Sequence, residues 1–215
     1  MKALNSVQKD YLAALYNPDI KVVIALGYAG TGKSILATAT ACDKFRMNEL
    51  ERILFTRPAI SSSKTVGLMP GDHIQKLSIW LQPVMSILKD RLGAGALEVA
   101  LKHEDIHLVP LEVVKGLSLE NEWLICDEAS DLTKQEVVKL ITRVGEGSKI
   151  ILCGDVNQKE LKEESGLSWL ASFVERNNMQ DFCTVVNFNK PEHIVRSDAV
   201  KRIIIALSKE GYYNV

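Results

Sequence analysis

The sequence predicts an α/β fold: a mainly parallel sheet of five or more strands, flanked by helices in three layers. Three observations carry that expectation. Short apolar runs alternate with stretches of helical periodicity along the chain. Most of those runs are continuously hydrophobic, as strands are when both faces of a sheet are covered. The intervals between them are long enough for the helical crossovers that parallel strands require.

In chain order the strands are Val22–Leu26 (VVIAL), Ile53–Thr56 (ILFT), Ile106–Val109 (IHLV), Trp123–Cys126 (WLIC), Ile150–Cys153 (IILC) and Cys183–Phe188 (CTVVNF). The helices expected between them are Lys33–Phe45, Asp72–Arg91 (bent at Pro83), Thr133–Val144, Leu167–Asn177 and Glu192–Lys209. Thr133 followed by Glu136 has capping-box spacing. Pro191 stands where a first helical turn tolerates proline. The longest irregular stretch is Arg57–Asp72 (RPAISSSKTVGLMPGD). Loops of that length in compact domains tend to carry function. Arg57, Lys64 and the hydroxyls of Ser61–Ser63 make it a candidate for contact with a nucleic-acid backbone or a neighbouring subunit.

The 215 residues, 47% hydrophobic and 25% charged, suit one domain spanning 1–215. A net charge of −1 excludes attraction to nucleic acid by bulk electrostatics. Any such contact must be a local patch or one assembled by several subunits. No apolar run approaches the roughly 20 residues that cross a bilayer, so no membrane partner is expected. The N-terminal MKALNSVQKDYLAAL does not read as a secretory signal. The four cysteines, Cys42, Cys126, Cys153 and Cys183, are widely spaced, two of them inside apolar strands. That pattern suits buried free thiols and a cytoplasmic setting.

Gly27-Tyr28-Ala29-Gly30-Thr31-Gly32-Lys33-Ser34 matches the phosphate-loop pattern and sits in its required context, after a strand and before a helix. Glycines let the backbone turn its N–H groups inward around a phosphate, and the helix N-terminus adds partial positive charge. The expected ATP-binding set is Gly27, Tyr28, Ala29, Gly30, Thr31, Gly32, Lys33, Ser34 and Ile35. Lys33 reaches the β- and γ-phosphates and Ser34 ligates Mg²⁺.

A second motif, WLICDE, is an apolar strand that ends in two carboxylates. Asp127 falls where a phosphate-loop enzyme places its second Mg²⁺ ligand, and Glu128 where a general base polarises the attacking water. The strand Ile150–Cys153 then runs into Gly154-Asp155-Val-Asn-Gln158. There Gln158 fits a γ-phosphate sensor and Asp155 an outer-shell metal ligand; alone, the stretch is an ordinary polar turn. His103 and His107 have metal-ligand spacing but straddle a helix-to-strand junction, which argues against a metal. Trp80 and Trp169, at helical spacing with leucines, read as core or interface rather than stacking platforms.

The series Gly27–Ser34, Thr56-Arg-Pro58, Gly67–Asp72, Asp127-Glu-Ala129, Leu140–Gly145, Gly154-Asp-x-x-Gln158 and Ser165-Gly-Leu167 resembles the PhoH-like family, whose core is similar to the first motor domain of superfamily 1 helicases. The resemblance implies a RecA-like sheet with an additional strand between the phosphate-loop and acidic strands. It implies ATP hydrolysis, work on single-stranded RNA or DNA, and a homo-oligomeric ring, a hexamer by expectation. It makes Gln8, on an N-terminal helix, a reader of the adenine edge. It also makes Arg143 and Arg196 candidates to meet transition-state charge, on the subunit's own nucleotide or a neighbour's. Three positions depart from the family: Ser130 stands for a glutamine, Lys115-Gly-Leu117 for an arginine-glycine-arginine run, and Ile79-Trp80 for Pro-Tyr. The first two weaken the expectation of coupling to nucleic acid and leave the ATP site intact.

A helicase monomer needs two motor domains, and this length has room for one, so a second jaw would be another copy. Two other functions fit the phosphate loop. A nucleotide kinase would carry an arginine-rich lid and lack the glutamate after Asp127. An ATP-gated interaction module would use the nucleotide only to set its assembly.

Overall fold

The computed structural model describes residues 2–58 and 82–210. Its centre is a six-stranded, all-parallel sheet: β1 (Val22–Gly27), β2 (Arg52–Thr56), β3 (Ile106–Leu108), β4 (Glu122–Cys126), β5 (Lys149–Gly154) and β6 (Cys183–Phe188). The order across the sheet is β3-β2-β4-β5-β1-β6. Thus β5 is the additional strand between the phosphate-loop strand β1 and the acidic strand β4, as the resemblance implied.

Side chains alternate across a strand, and the sheet divides its apolar residues accordingly. Val23, Ala25, Phe55, Ile125 and Ile151 face α1 (Ser6–Tyr16), α2 (Lys33–Arg46), α3 (Gln82–Leu92) and α4 (Ala94–Lys102). Val22, Ile24, Leu54, Leu124 and Leu152 face α5 (Leu111–Val114), α6 (Lys134–Ile141) and α7 (Gly166–Arg176). Both faces are covered, which is why the strands read as unbroken apolar runs. The expected three-layer arrangement is present.

Helix starts follow their caps. The Asn5 side chain accepts from the Gln8 amide at the head of α1. Thr133 and Glu136 form the predicted reciprocal box on α6, and Ser165 accepts from the Leu167 amide on α7. All four cysteines are buried and free. Among the described residues no helix is long and apolar enough to cross a membrane.

Two differences from the sequence reading matter. The stretch expected as one helix, Glu192–Lys209, is broken: Pro191–His193 forms a single 3₁₀ turn and the last helix, α8 (Asp198–Lys209), begins only after it. Between them the chain crosses the phosphate loop, and the Val195 amide donates to the Gly30 carbonyl at 3.0 Å. The helices α4 and α5 were not anticipated; each is short, with Leu97 and Ala100, or Leu111 and Val114, as its buried residues. Most of the predicted loop Arg57–Asp72, with Ser61–Ser63 and Lys64, lies outside the described residues, as do Ile79, Trp80 and the first half of the helix expected over Asp72–Arg91.

Candidate nucleotide site

Parallel sheets present their functional groups at the carboxyl ends of the strands, and the predicted motifs meet there. The phosphate loop leaves β1 at Gly27, whose φ of +126° and position force glycine: a Cβ would stand 2.3 Å from the Phe188 carbonyl carbon. Gly32, at φ +88°, closes the loop as the N-cap of α2 and aims that helix's free amides into the site. The Thr31 hydroxyl donates to the Tyr28 carbonyl at 2.9 Å and braces the turn from inside.

The Lys33 ammonium is turned back onto the loop and donates to the carbonyls of Gly27 (2.6 Å) and Tyr28 (2.8 Å). Burial pushes its pKa down, against the pull of Asp155, Asp127 and Glu128. An arriving phosphate would offer this buried cation a stronger partner than two carbonyls.

The acidic strand reaches the same place. The Asp127 amide donates to the Thr56 carbonyl at 3.1 Å and carries the β2–β4 ladder one residue past the strand ends. The Ser34 hydroxyl donates to Asp127 Oδ1 at 2.6 Å. Two hard oxygen donors from different elements thus share one point of the cavity wall. That is the donor chemistry of Mg²⁺, which takes few protein ligands and completes its shell with water and phosphate oxygens. The residues fit the ion.

Glu128 follows in a left-handed backbone conformation, φ +51° and ψ +35°, uncommon for a residue with a side chain. Such conformations persist where the surroundings hold a functional group in place. Burial, with Asp127 beside it, raises the Glu128 pKa. The Arg57 guanidinium stands 3.6 Å from its Oε1.

From β5, Asp155 is 3% exposed; its Oδ2 accepts from the Ala29 amide at 3.0 Å and its Oδ1 from the Asn157 amide at 3.1 Å. With an oxygen on each amide, Asp155 braces the phosphate loop. Burial raises its pKa as well. Gln158 lines the cavity, its backbone held by the Asp155 carbonyl at 2.9 Å. Arg196 is carried in by the crossing segment and lies over Gly30, where a Cβ would stand 2.7 Å from its Cδ. The cavity enclosed measures about 400 Å³, and Ile35 and Val195 form its exposed apolar wall.

The geometry alters three sequence assignments. Gln8 is 2% exposed; its Oε1 accepts from the Leu4 amide (2.8 Å) and its Nε2 donates to the Thr31 carbonyl (2.9 Å). It is a strut beneath the phosphate loop, and the cavity wall is made by other residues. Arg143 lies at the far end of the sheet. Its carbonyl accepts from Leu119, just ahead of β4, and its guanidinium donates to Leu117 O and Thr142 Oγ1. The length of β4, about 13 Å at 3.3 Å per step, separates that end from the carboxyl ends, so Arg143 does not serve its own subunit's nucleotide.

The third change concerns Arg57, read from sequence as part of a loop that contacts a nucleic-acid backbone or a neighbouring subunit; it lines the cavity. The signal was available in part, because Arg57 directly follows a strand, but only the order β2-β4 reveals which strand tip it faces. His103 and His107 join no metal-binding group among the described residues, and His107 lies 3.9 Å from Glu104. Trp169 stacks on Phe173 at 5.0 Å and packs against the core.

A family model described as PhoH-like protein matches residues 1–208. The chain belongs to the PhoH-like family. It is 33% identical over 206 residues to a PhoH-like protein of Bacillus subtilis (strain 168), covering 95% of this chain and 63% of that one. It is 31% identical over 208 residues to Protein PhoH of Escherichia coli (strain K12), covering 96% and 58%. This PhoH-like chain therefore spans only about three-fifths of the length of those relatives. Among solved structures it is similar to the large terminase from a thermophilic bacteriophage, with a TM-score of 0.53 and 12% identity over 94% of this chain and 50% of that one. The likeness in shape supports the α/β fold described above.

Proposed function

We propose that this PhoH-like chain is a Mg²⁺-dependent ATPase domain that works on single-stranded RNA or DNA as a homo-oligomeric ring in the cytoplasm. The observation that carries the ATPase reading is the 2.6 Å contact between Ser34 and Asp127, which brings the phosphate loop and the acidic strand to one point. The loop amides and the α2 N-terminus hold the phosphates, and Lys33 supplies the fixed cation. Ser34 and Asp127 would hold the metal ion, whose charge would offset that of the phosphates. Glu128 accepts a proton from the attacking water, Gln158 orients that water or the γ-phosphate, and Arg196 meets charge at the outer rim of the loop.

The nucleic-acid and ring proposals rest on the motif series shared with the family. The four buried free thiols accord with a reducing compartment.

Phosphate release measured across a panel of RNA and DNA oligonucleotides, with native mass taken on the same samples, tests the whole reading. Turnover should rise with single strands. Lys33→Ala should lose nucleotide binding, and Glu128→Gln should bind ATP while turning over about a hundredfold or more slowly. Glu128→Gln with unimpaired turnover would remove the base from the scheme. A rate indifferent to every oligonucleotide would favour the ATP-gated interaction module.

A further inference from the structure

Neither the cradling of phosphates nor the holding of the metal ion uses Arg57, yet the fold places its guanidinium with care. The register pairs Thr56 with Cys126, and the Asp127 amide donates to the Thr56 carbonyl. The next residue on each strand is thereby fixed across the β2–β4 seam. Arg57 reaches over that seam to Glu128, Nη2 to Oε1 at 3.6 Å, and both side chains line the nucleotide cavity. The Arg57 side chain is 20% exposed and that of Glu128 40%. The left-handed turn at Glu128 holds the carboxylate toward that seam.

A guanidinium carries five donors in a planar fork that suits two oxygens of a phosphate as well as two of a carboxylate. The pair seen here is long, at 3.6 Å beyond ordinary hydrogen-bond reach, so it is weak. A terminal phosphoryl group carries more charge and more acceptor oxygens than a single carboxylate, and it makes the stronger partner. We propose that Arg57 is the terminal-phosphate sensor of this site. The same guanidinium serves two anions in turn, Glu128 as seen here and the terminal phosphate of a bound nucleoside triphosphate. Its transfer frees the Glu128 carboxylate to take the proton of the attacking water. A diphosphate supplies no terminal group at that position and leaves the Arg57–Glu128 pair in place. Arg57 thus distinguishes tri- from diphosphate and links that distinction to the readiness of the base. The inference rests on the nucleotide-site reading above.

Equilibrium binding of ADP and of a non-hydrolysable ATP analogue, each with Mg²⁺, tests it in four proteins: wild type, Arg57→Ala, Glu128→Gln and the double variant. Arg57→Ala should weaken the triphosphate analogue about tenfold, the worth of a hydrogen bond to a charged group, and leave ADP within about twofold. Arg57→Lys should recover part of the loss. Glu128→Gln should tighten the triphosphate analogue by up to about fivefold, because it removes a weak competing ion pair. That gain should vanish in the double variant. Equal losses for both nucleotides in Arg57→Ala, or a loss for neither, would overturn the proposal. So would a gain from Glu128→Gln that persists without Arg57, since Glu128 would then repel the phosphate directly. Wild-type protein that binds neither nucleotide would overturn the site reading itself, and the proposal with it.

Discussion

Gly154 closes β5 against the acidic turn, and Gly154→Ala measures how tightly the two halves of the site are keyed. A Cβ at Gly154 would lie 2.6 Å from the Ser130 amide nitrogen and 2.8 Å from Leu167 Cδ2. The leucine can rotate aside; the amide, fixed two residues after Glu128 in the 3₁₀ turn Ala129–Asp131, cannot. Restoring an ordinary contact of 3.4 Å from 2.6 Å requires the strand tip and the turn to part by about 0.8 Å. Overpacking of this kind costs about 1–3 kcal/mol, a fall in melting temperature of roughly 2–12 °C for a chain of this size. The effect on rate should be the larger one, because misplacing a catalytic group by 1 Å costs about a hundredfold. Asp155, the next residue, braces the phosphate loop through the Ala29 amide, so nucleotide affinity should fall as well, by less than the rate. Steady-state phosphate release at saturating ATP, nucleotide binding and thermal unfolding on the same preparation separate the three effects. Gly154→Ala with wild-type turnover would show that the Asp127–Glu128 turn is not held by β5, and the reasoning would fail.

Two further predictions concern the supports of the site. Gln8→Ala strips partners from the Leu4 amide and the Thr31 carbonyl, which should cost about 1–3 kcal/mol in denaturant unfolding. ATP and GTP affinity should fall by the same factor; a loss confined to ATP would restore Gln8 as an adenine reader. Lys149, 4% exposed, donates to the Ala14 and Asn17 carbonyls at the end of α1. Burial, with Lys44 and Lys21 nearby, pulls its pKa down to about 7. The unfolded chain, with a pKa near 10.4, binds the proton more tightly, so stability should rise with pH between about 7 and 10 and carry the full cost below 7. The slope is at most about 1.4 kcal/mol per pH unit, and the two carbonyl contacts, which favour the ammonium, narrow the window over which it acts. Urea midpoints at pH 7 and pH 9 should show that gain in the wild type and its absence in Lys149→Met; equal slopes would refute it.

The strands were legible because a sheet covered on both faces leaves apolar runs too long to read as anything else. VVIAL and IILC lie within β1 and β5 to within a residue or two. The phosphate loop and Asp127-Glu128 were legible because their chemistry demands particular residues at fixed spacing beside a strand. Strand order is not written in any local pattern, and Arg57 shows the consequence. Its neighbourhood depends on β2 lying beside β4, a contact between residues some seventy positions apart. Gln8 fails for a related reason, since its acceptor at Thr31 comes from a packing of α1 on the loop that periodicity does not report. The break at Ile194–Ser197 was hidden because EHIVRSD keeps a helical rhythm, whereas tertiary contacts hold it extended: Val195 on Gly30, and Ile194 packed with Tyr28 and Ile204.

The arginines bear on what a ring would be for. Ring ATPases often need a neighbour's arginine to complete the site, and the sequence left that route open for Arg143 and Arg196. In the structure Arg196 lines its own subunit's cavity, and Arg57 joins it from β2. Arg143 sits at the opposite end of the sheet with its guanidinium directed to Leu117 and Thr142 of its own chain. The loop amides, the residues proposed as cation, metal-side oxygens and base, and two guanidinium groups therefore all line one copy's cavity. On the proposed function, the hydrolytic groups need no neighbour, and a ring would serve contact with a strand rather than the chemistry. Dependence on neighbours should, under that proposal, fall on nucleic-acid coupling, and basal ATP turnover should belong to the single fold.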